Sequence, residues 1–145
     1  MYEGSCLCGA VRFAVHGEVS PLQYCHCARC QKVSGGACVA AVAARSEAVR
    51  FTAGAELVRT CVLPVRAEPP SYRTAFCGQC GAPVPILAPE QPFAVIPAGA
   101  FDGAPPLRPM RHIFVAQNPA WHVIGGDLPR FPEHVPPEQR LPTRR

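Results

Sequence analysis

Val11, Phe13 and Val15 alternate with Ala10, Arg12 and Ala14 directly after Cys8-Gly9, a period of two that predicts a half-buried β-strand. Gly36 to Ala44 is small and apolar without helical periodicity and reads as a buried strand. Val49–Thr52 and Leu57–Leu63 are two more strand candidates. The stretch from Pro64 to Ser71 is turn-rich, and Pro69-Pro70 excludes a regular helix there. Tyr72 to Phe76 leads into Cys77, while Val84–Leu87 and Phe93–Pro97 read as strands interrupted by proline. His112–Val115 is another short strand. Eighteen scattered prolines leave few windows for a long helix. From Pro132 the chain is Pro- and Arg-rich with little to bury, and is expected to be loosely attached or extended. The pattern predicts a mostly-β single domain of short strands over residues 1–131, followed by a tail over 132–145. A chain of 145 residues suits one domain, since domains most often run to about 100–150 residues.

Composition narrows the classes. No apolar run reaches the roughly 20 residues of a membrane span. Met1-Tyr2-Glu3-Gly4-Ser5 lacks a basic segment followed by an apolar one, so no secretory signal is expected and the cytoplasm is the expected location. The formal charge of +4 is spread along the chain, and the arginines are separated by apolar or acidic residues. A nucleic-acid protein usually clusters its basic residues on one face, so the charge pattern argues against that partner.

Nine cysteines change the picture. An odd count in a chain without an export signal fits a disulfide framework poorly, and closely spaced thiols in a reducing compartment read as metal ligands. Cys6-Leu7-Cys8-Gly9 and Cys77-Gly78-Gln79-Cys80-Gly81 each end in a glycine, whose positive φ lets a tight turn aim both sulfurs inward. Zinc takes four ligands in a tetrahedron, so Cys6, Cys8, Cys77 and Cys80 are expected to close one structural site across about 70 residues of chain. Metal binding there would contribute directly to folding. Cys25, Cys27 and Cys30 offer three thiolates and leave a position open, the pattern of a catalytic or substrate-binding zinc. The chain is thus expected to take two zinc ions.

The competing readings are specific. The middle cluster could be a second structural zinc with its fourth ligand from elsewhere. A redox pair at Cys77 and Cys80 lacks the surrounding βαβ pattern such a motif has. His26 lies between two ligating neighbours and is expected to point away from the metal. Cys38 and Cys61 sit in apolar or strand-like runs and are expected in the core. His16, His122 and His134 carry no spacing signal and are assigned surface or turn roles, while His112 and Trp121 are expected to brace the core. Lys32 and Ser34, just after Cys30, are candidate substrate-binding residues, with ordinary loop roles as the alternative.

Four blocks in order resemble the glutathione-dependent formaldehyde-activating family, which includes a centromere-associated vertebrate branch. They are Gly4–Phe13, Tyr24–Gly35, Phe76–Gly81, and the segment holding His112–Val115, Pro119-Ala120-Trp121 and Asp127–Phe131. The resemblance implies a β-tent zinc fold, a structural zinc on Cys6, Cys8, Cys77 and Cys80, and a catalytic zinc on Cys25, Cys27 and Cys30 with glutathione nearby. It also implies a carbon–sulfur lyase activity forming S-hydroxymethylglutathione. The sequence departs from the family at Gln31, where arginine is common, and at Cys38, where an aromatic is common. Pro83 and Pro85 interrupt the strand after the last cysteine pair, and Cys38 could close the open site if it reached it.

Two functions follow. One is a zinc-dependent carbon–sulfur lyase acting on a thiol adduct, with a small-molecule thiol such as glutathione as partner. The other is a non-enzymatic zinc module binding a thiol, a protein or nucleic acid.

Overall fold

Strand β1 (Tyr2–Ser5) runs antiparallel to β2 (Arg12–Val15), placing Gly4 opposite Phe13. The computed structural model describes residues 1–63 and 72–139, so the expected Pro64–Ser71 linker and the last six residues lie outside the described residues. The chain divides into two compact units, Met1–Leu22 with Ala40–Arg108, and Gln23–Val39 with Pro109–Arg145. The mostly-β expectation holds, with short strands, small sheets and one α-helix among the described residues.

In the first unit β2 is the centre of a three-stranded sheet between β1 and β5 (Val49–Ala53). Phe13, Ala14 and Val15 are all buried, so this strand is covered on both faces where alternation alone suggested one. Residues of β4 (Val39–Arg45) pair with β8 (Phe93–Pro97), matching Val42 with Ile96 and Ala44 with Ala94, all four buried. Period-two burial on both partners fixes this register, since a one-residue slip would expose the apolar set. Strand β6 (Val58–Val62) pairs with β7 (Arg73–Cys77). A core cluster of Cys6, Val11, Ala75, Cys77 and Val84 joins the first and last knuckles through apolar contact.

Two expectations need correction in this unit. Val84–Leu87 is no strand: Phe76–Pro83 and Ile86–Val95 are isolated bridges, because Pro83 and Pro85 have no N–H to give a ladder. Cys61 is exposed rather than buried, since the face of β6 that carries it has no layer over it among the described residues. The β1 strand, with only Tyr2 as a strand-favouring residue, gave no periodic signal.

The second unit holds β3 (Leu22–Cys25, from Gln23 onward), α1 (Ala28–Ser34) and β9 (Pro109–Ile113), with β3 and β9 as hydrogen-bonded neighbours. Strand β9 ends two residues earlier than expected because Phe114 adopts left-handed backbone, φ 56° and ψ 36°, and starts a 3₁₀ turn over Val115–Gln117. A non-glycine residue held there costs on the order of 1–3 kcal/mol, which the surroundings must offset. They do: Phe114 N–H donates to the Glu133 carbonyl, Ala116 N–H to that of Pro132, and the Phe114 ring meets His134 edge-on. Residues 132–135 are therefore tied down, and Val135 is buried, contrary to the expected loose attachment.

Gly54 sits at φ 66°, where an added Cβ would run into the Ala10 carbonyl and lie 3.1 Å from Val11 Cα. Gly103 has φ 75° with open space around it. Gly54→Ala should therefore destabilise by about 2 kcal/mol or more, combining backbone strain with displacement of the Ala10–Val11 turn, while Gly103→Ala pays the strain alone. Denaturant midpoints of the two variants check this; equal losses would mean that the close approach at Gly54 is unimportant.

Candidate metal centres

The first centre is built from two matching knuckles. Cys6 N–H donates to Val11 O at 3.0 Å, and Cys77 N–H donates to Ala82 O at 2.9 Å. The glycine after each pair closes the turn: Gly9 N–H returns to Cys6 O at 3.0 Å and Gly81 N–H to Cys77 O at 2.8 Å. Both glycines have φ 75°, as the sequence pattern required, and neither is crowded, so conformation and not space demands glycine. Backbone donors also reach sulfur, Val11 N–H to Cys6 Sγ at 3.3 Å and Gln79 N–H to Cys77 Sγ at 3.4 Å. Such donors stabilise a thiolate.

Across the 69 residues separating Cys8 from Cys77, the four sulfurs meet within 4.8 Å of one another. The Cys6–Cys8 and Cys8–Cys77 separations are 3.5 and 4.0 Å. They bracket the separation of about 3.8 Å expected for sulfurs arranged tetrahedrally about zinc at about 2.3 Å. Cys80 is pulled down to about 6 by the Ala82 backbone N–H and then that of Cys8. Cys6 and Cys77 are buried while Cys8 is exposed, so the centre lies at the edge of the core. The donor set fits zinc, and no fifth candidate ligand joins it among the described residues.

The second centre has three sulfurs. Cys25 ends β3, Cys27 is the N-cap of α1, and Cys30 lies in the first turn of that helix. Cys27 Sγ accepts from Cys30 N–H at 3.3 Å, a capping bond that also orients the sulfur. All three sulfurs lie within 4.8 Å of one another, and no fourth candidate ligand joins them among the described residues. Cys27 is held down to about 2 by the Cys25 and Cys30 thiols, and the same contacts with Cys27 and then Cys30 push Cys25 up. Three thiols that cannot all ionise alone, buried at Cys27 and Cys30, are a donor set that suits a divalent cation. Half-buried Cys38 is not among these sulfurs, and burial pushes its thiol up.

The remaining sequence candidates fall as follows. Lys32 is exposed in the last turn of α1. Ser34 is exposed too, and its hydroxyl accepts from Gly36 N–H at 3.1 Å, an ordinary helix-end bond. His26 points away from the sulfurs, as expected: its buried ring meets His112 Nδ1 through Nε2 at 2.9 Å. His112 braces the interior, stacked on Tyr24 at 4.9 Å, but Trp121 is 71% exposed and braces nothing. His122, expected only at a surface or turn, is half-buried with its ring 5.7 Å from that of His26 and bonds Asn118 Oδ1 at 2.8 Å. Gln31 and Gln117 were missed as site residues, because a partner 86 positions away leaves no trace in local spacing.

The sequence model of the family described as "Glutathione-dependent formaldehyde-activating enzyme" matches residues 1–117. The chain belongs to this family. A relative from Halomonas elongata, provisionally named a glutathione-dependent formaldehyde-activating enzyme, is 32% identical over 127 residues, covering 83% of this chain and 79% of its own. A crystal structure of a Rhodobacter sphaeroides protein shares the fold at a TM-score of 0.55 and 24% identity, covering 72% of this chain and 91% of that one. Both cysteine centres lie inside the residues that the family match spans.

Burial lowers the His26 imidazole below its ordinary 6.5, with the charges of His112 and His122 adding to the effect. Burial, followed by the Arg130 charge, does the same for His112. Both rings thus take up a proton more readily in the unfolded chain than in the fold, so unfolding binds protons as pH falls. Their contribution to stability is full above 6.5 and is lost as pH drops below it towards the lower folded values. Imidazole resonances of His26 and His112 should accordingly keep neutral shifts through pH 6.5 in NMR titrations; midpoints at or above that value would contradict the burial argument.

Proposed function

We propose that this chain is a two-zinc enzyme that joins a small thiol to an aldehyde, in the manner of S-hydroxymethylglutathione formation, and belongs with the carbon–sulfur lyases. The observation that carries the reading is the difference between the two centres: four sulfurs in one and three in the other, in a chain of this family. Cys6, Cys8, Cys77 and Cys80 would hold one ion with all four positions taken and serve the fold, tying the segment before β2 to the end of β7. Cys25, Cys27 and Cys30 would hold the second ion with a position left for substrate. Zinc bound there supplies a Lewis acid and lowers the pKa of a thiol beside it.

The chain's own residues set the conditions for this chemistry. The N–H of Cys30 and the other two thiols keep Cys27 ready to ligate as a thiolate. The Cys27 cap orients the first turn of α1 so that Cys30 faces Cys25 and Cys27. The addition balances without an external oxidant or reductant: the sulfur forms a bond to the carbonyl carbon, and the thiol proton ends on the aldehyde oxygen. Exposed Lys32, at the end of α1, is the candidate anchor for a carboxylate of a glutathione-like thiol, and Ser34 a weaker polar contact beside it. Thiol substrates of this kind belong to a reducing compartment, and the cytoplasm is the proposed setting. No disulfide links the described cysteines, and no described helix is long and apolar enough to cross a membrane.

Protein purified without chelator should carry two zinc ions per chain, and Cys27→Ser should carry one while keeping its thermal midpoint within a few degrees. It should also lose formaldehyde- and glutathione-dependent adduct formation, followed by NMR exchange between free and hydroxymethylated thiol. Two zincs with no turnover on any aldehyde or thiol tried would favour a binding module. One zinc in the wild type would remove the open centre altogether.

A further inference from the structure

Cys25 ends a strand and Cys27 is still extended, at φ −64° and ψ 152°. In extended backbone alternate side chains share a face, so Cys25 and Cys27 look one way and His26 looks the other. The spacing that pairs the two sulfurs thus turns the intervening residue into a handle on the opposite side. In this structure the handle is gripped. The His26 ring is 1% exposed and joined at Nε2 to His112 Nδ1, its N–H donates to the Ile113 carbonyl at 3.0 Å, and its carbonyl accepts from Gln31 Nε2 at 2.7 Å. His112 is itself held by the Tyr24 ring stacked on it at an interplanar angle of 18°.

The helix carrying Cys30 is gripped from the same side of the sequence. Ala28 N–H, a first-turn donor with no partner inside the helix, donates to Gln117 Oε1 at 2.8 Å. Gln31 Nε2, on the same helix, donates both to the His26 carbonyl and to the Gln117 carbonyl at 2.8 Å. One residue, Gln117, therefore holds α1 at two points through its side chain and its backbone. The left-handed turn at Phe114 brings Gln117 round to the helix directly after β9 has placed His112 and Ile113 against His26. None of these groups is a metal ligand, and each fixes an element that carries one or two of the three thiols.

We propose that His112 and Gln117 are positioning residues for the three-thiol centre, His112 acting through the His26 ring and Gln117 through the first turn of α1. The inference rests on reading Cys25, Cys27 and Cys30 as zinc ligands. Groups beyond the ligands that orient them usually govern affinity by about 10- to 100-fold when removed. Loss of His112 frees the Cys25–Cys27 segment to rotate, and loss of the Gln117 side chain frees the helix end, so the sulfurs pay an ordering cost on binding that the native site has already met.

The test uses the zinc-loaded full chain in competition with a colorimetric chelator, with Cys27→Ser identifying which of the two zinc ions belongs to the three-thiol centre. His112→Ala should weaken that zinc by about 10-fold or more and leave the four-thiol zinc unchanged. His112→Gln, which keeps a side-chain amide within reach of His26, should recover most of the loss. Gln117→Ala, at an exposed residue whose truncation leaves the core intact, should weaken the same zinc several-fold. Unchanged affinity in both alanine variants overturns the proposal, as does weakening of both zinc ions together with a fall in thermal midpoint. If His112→Ala does not fold, Gln117→Ala decides alone by the same criterion. A wild type holding a single zinc overturns the metal reading and the inference with it, a result distinct from two zincs that the variants hold equally tightly.

Discussion

Sulfurs brought within 4.8 Å of one another cannot all carry charge unless a cation sits among them, and the rest of this structure follows from that constraint. The first centre draws its sulfurs from the beginning of the chain and from the end of β7. Its two knuckles are the same backbone device used twice, each closed by a glycine at φ 75° and each aiming N–H groups at sulfur. The apolar cluster around Val11, Ala75 and Val84 packs directly beside it. Burial and ligation therefore reinforce each other: the core brings the knuckles together, and four thiolates around one ion would keep β7 from parting from the first sheet.

The second centre is held by other means. Its three sulfurs come from six consecutive residues, so ligand spacing closes no long loop there. What the site needs is orientation, and this comes from polar contacts with β9 and the turn that follows it. With an ion bound, a four-sulfur centre would contribute to folding through the chain it closes, whereas a three-sulfur centre would depend on its neighbours for shape. The departure at Gln31 gains a meaning in this light. The Gln31 amide donates to two carbonyls at 2.7 and 2.8 Å and so joins His26 to Gln117. For Cys38, the other departure, the structure shows only a half-buried thiol apart from the three sulfurs.

Errors of sequence reading cluster where a distant partner overrides a local pattern. Val84–Leu87 looked like a strand by composition, but two prolines removed the donors a ladder needs. Cys61 lies in a strand as expected, yet a strand-like run cannot say whether a second layer covers it, and none of the described residues buries it. Helix α1 escaped notice because it spans only seven residues and its N-cap is a cysteine; Gly35, at φ 70° in its C-cap, was the one conventional signal. By composition, the Pro- and Arg-rich segment after Phe131 has little to bury. Its first residues serve instead as backbone acceptors for the strained turn at Phe114, a role that composition does not encode.

The sequence by itself determined the two cysteine centres, their membership and the glycine turns of the first. Those features follow from covalent spacing and from the backbone freedom of glycine, both of which are local. It also determined the mostly-β character, because scattered prolines exclude long helices whatever the tertiary context. Only the tertiary structure decided that His26 is a buried handle met by His112 from 86 positions away, that Gln117 meets α1 from 86 and 89 positions away, and that Trp121 faces solvent. The reason is physical: a hydrogen bond between side chains far apart in sequence depends on how strands pair and where a turn bends. That geometry is set by the packing of the whole unit, not by the residues that make the bond.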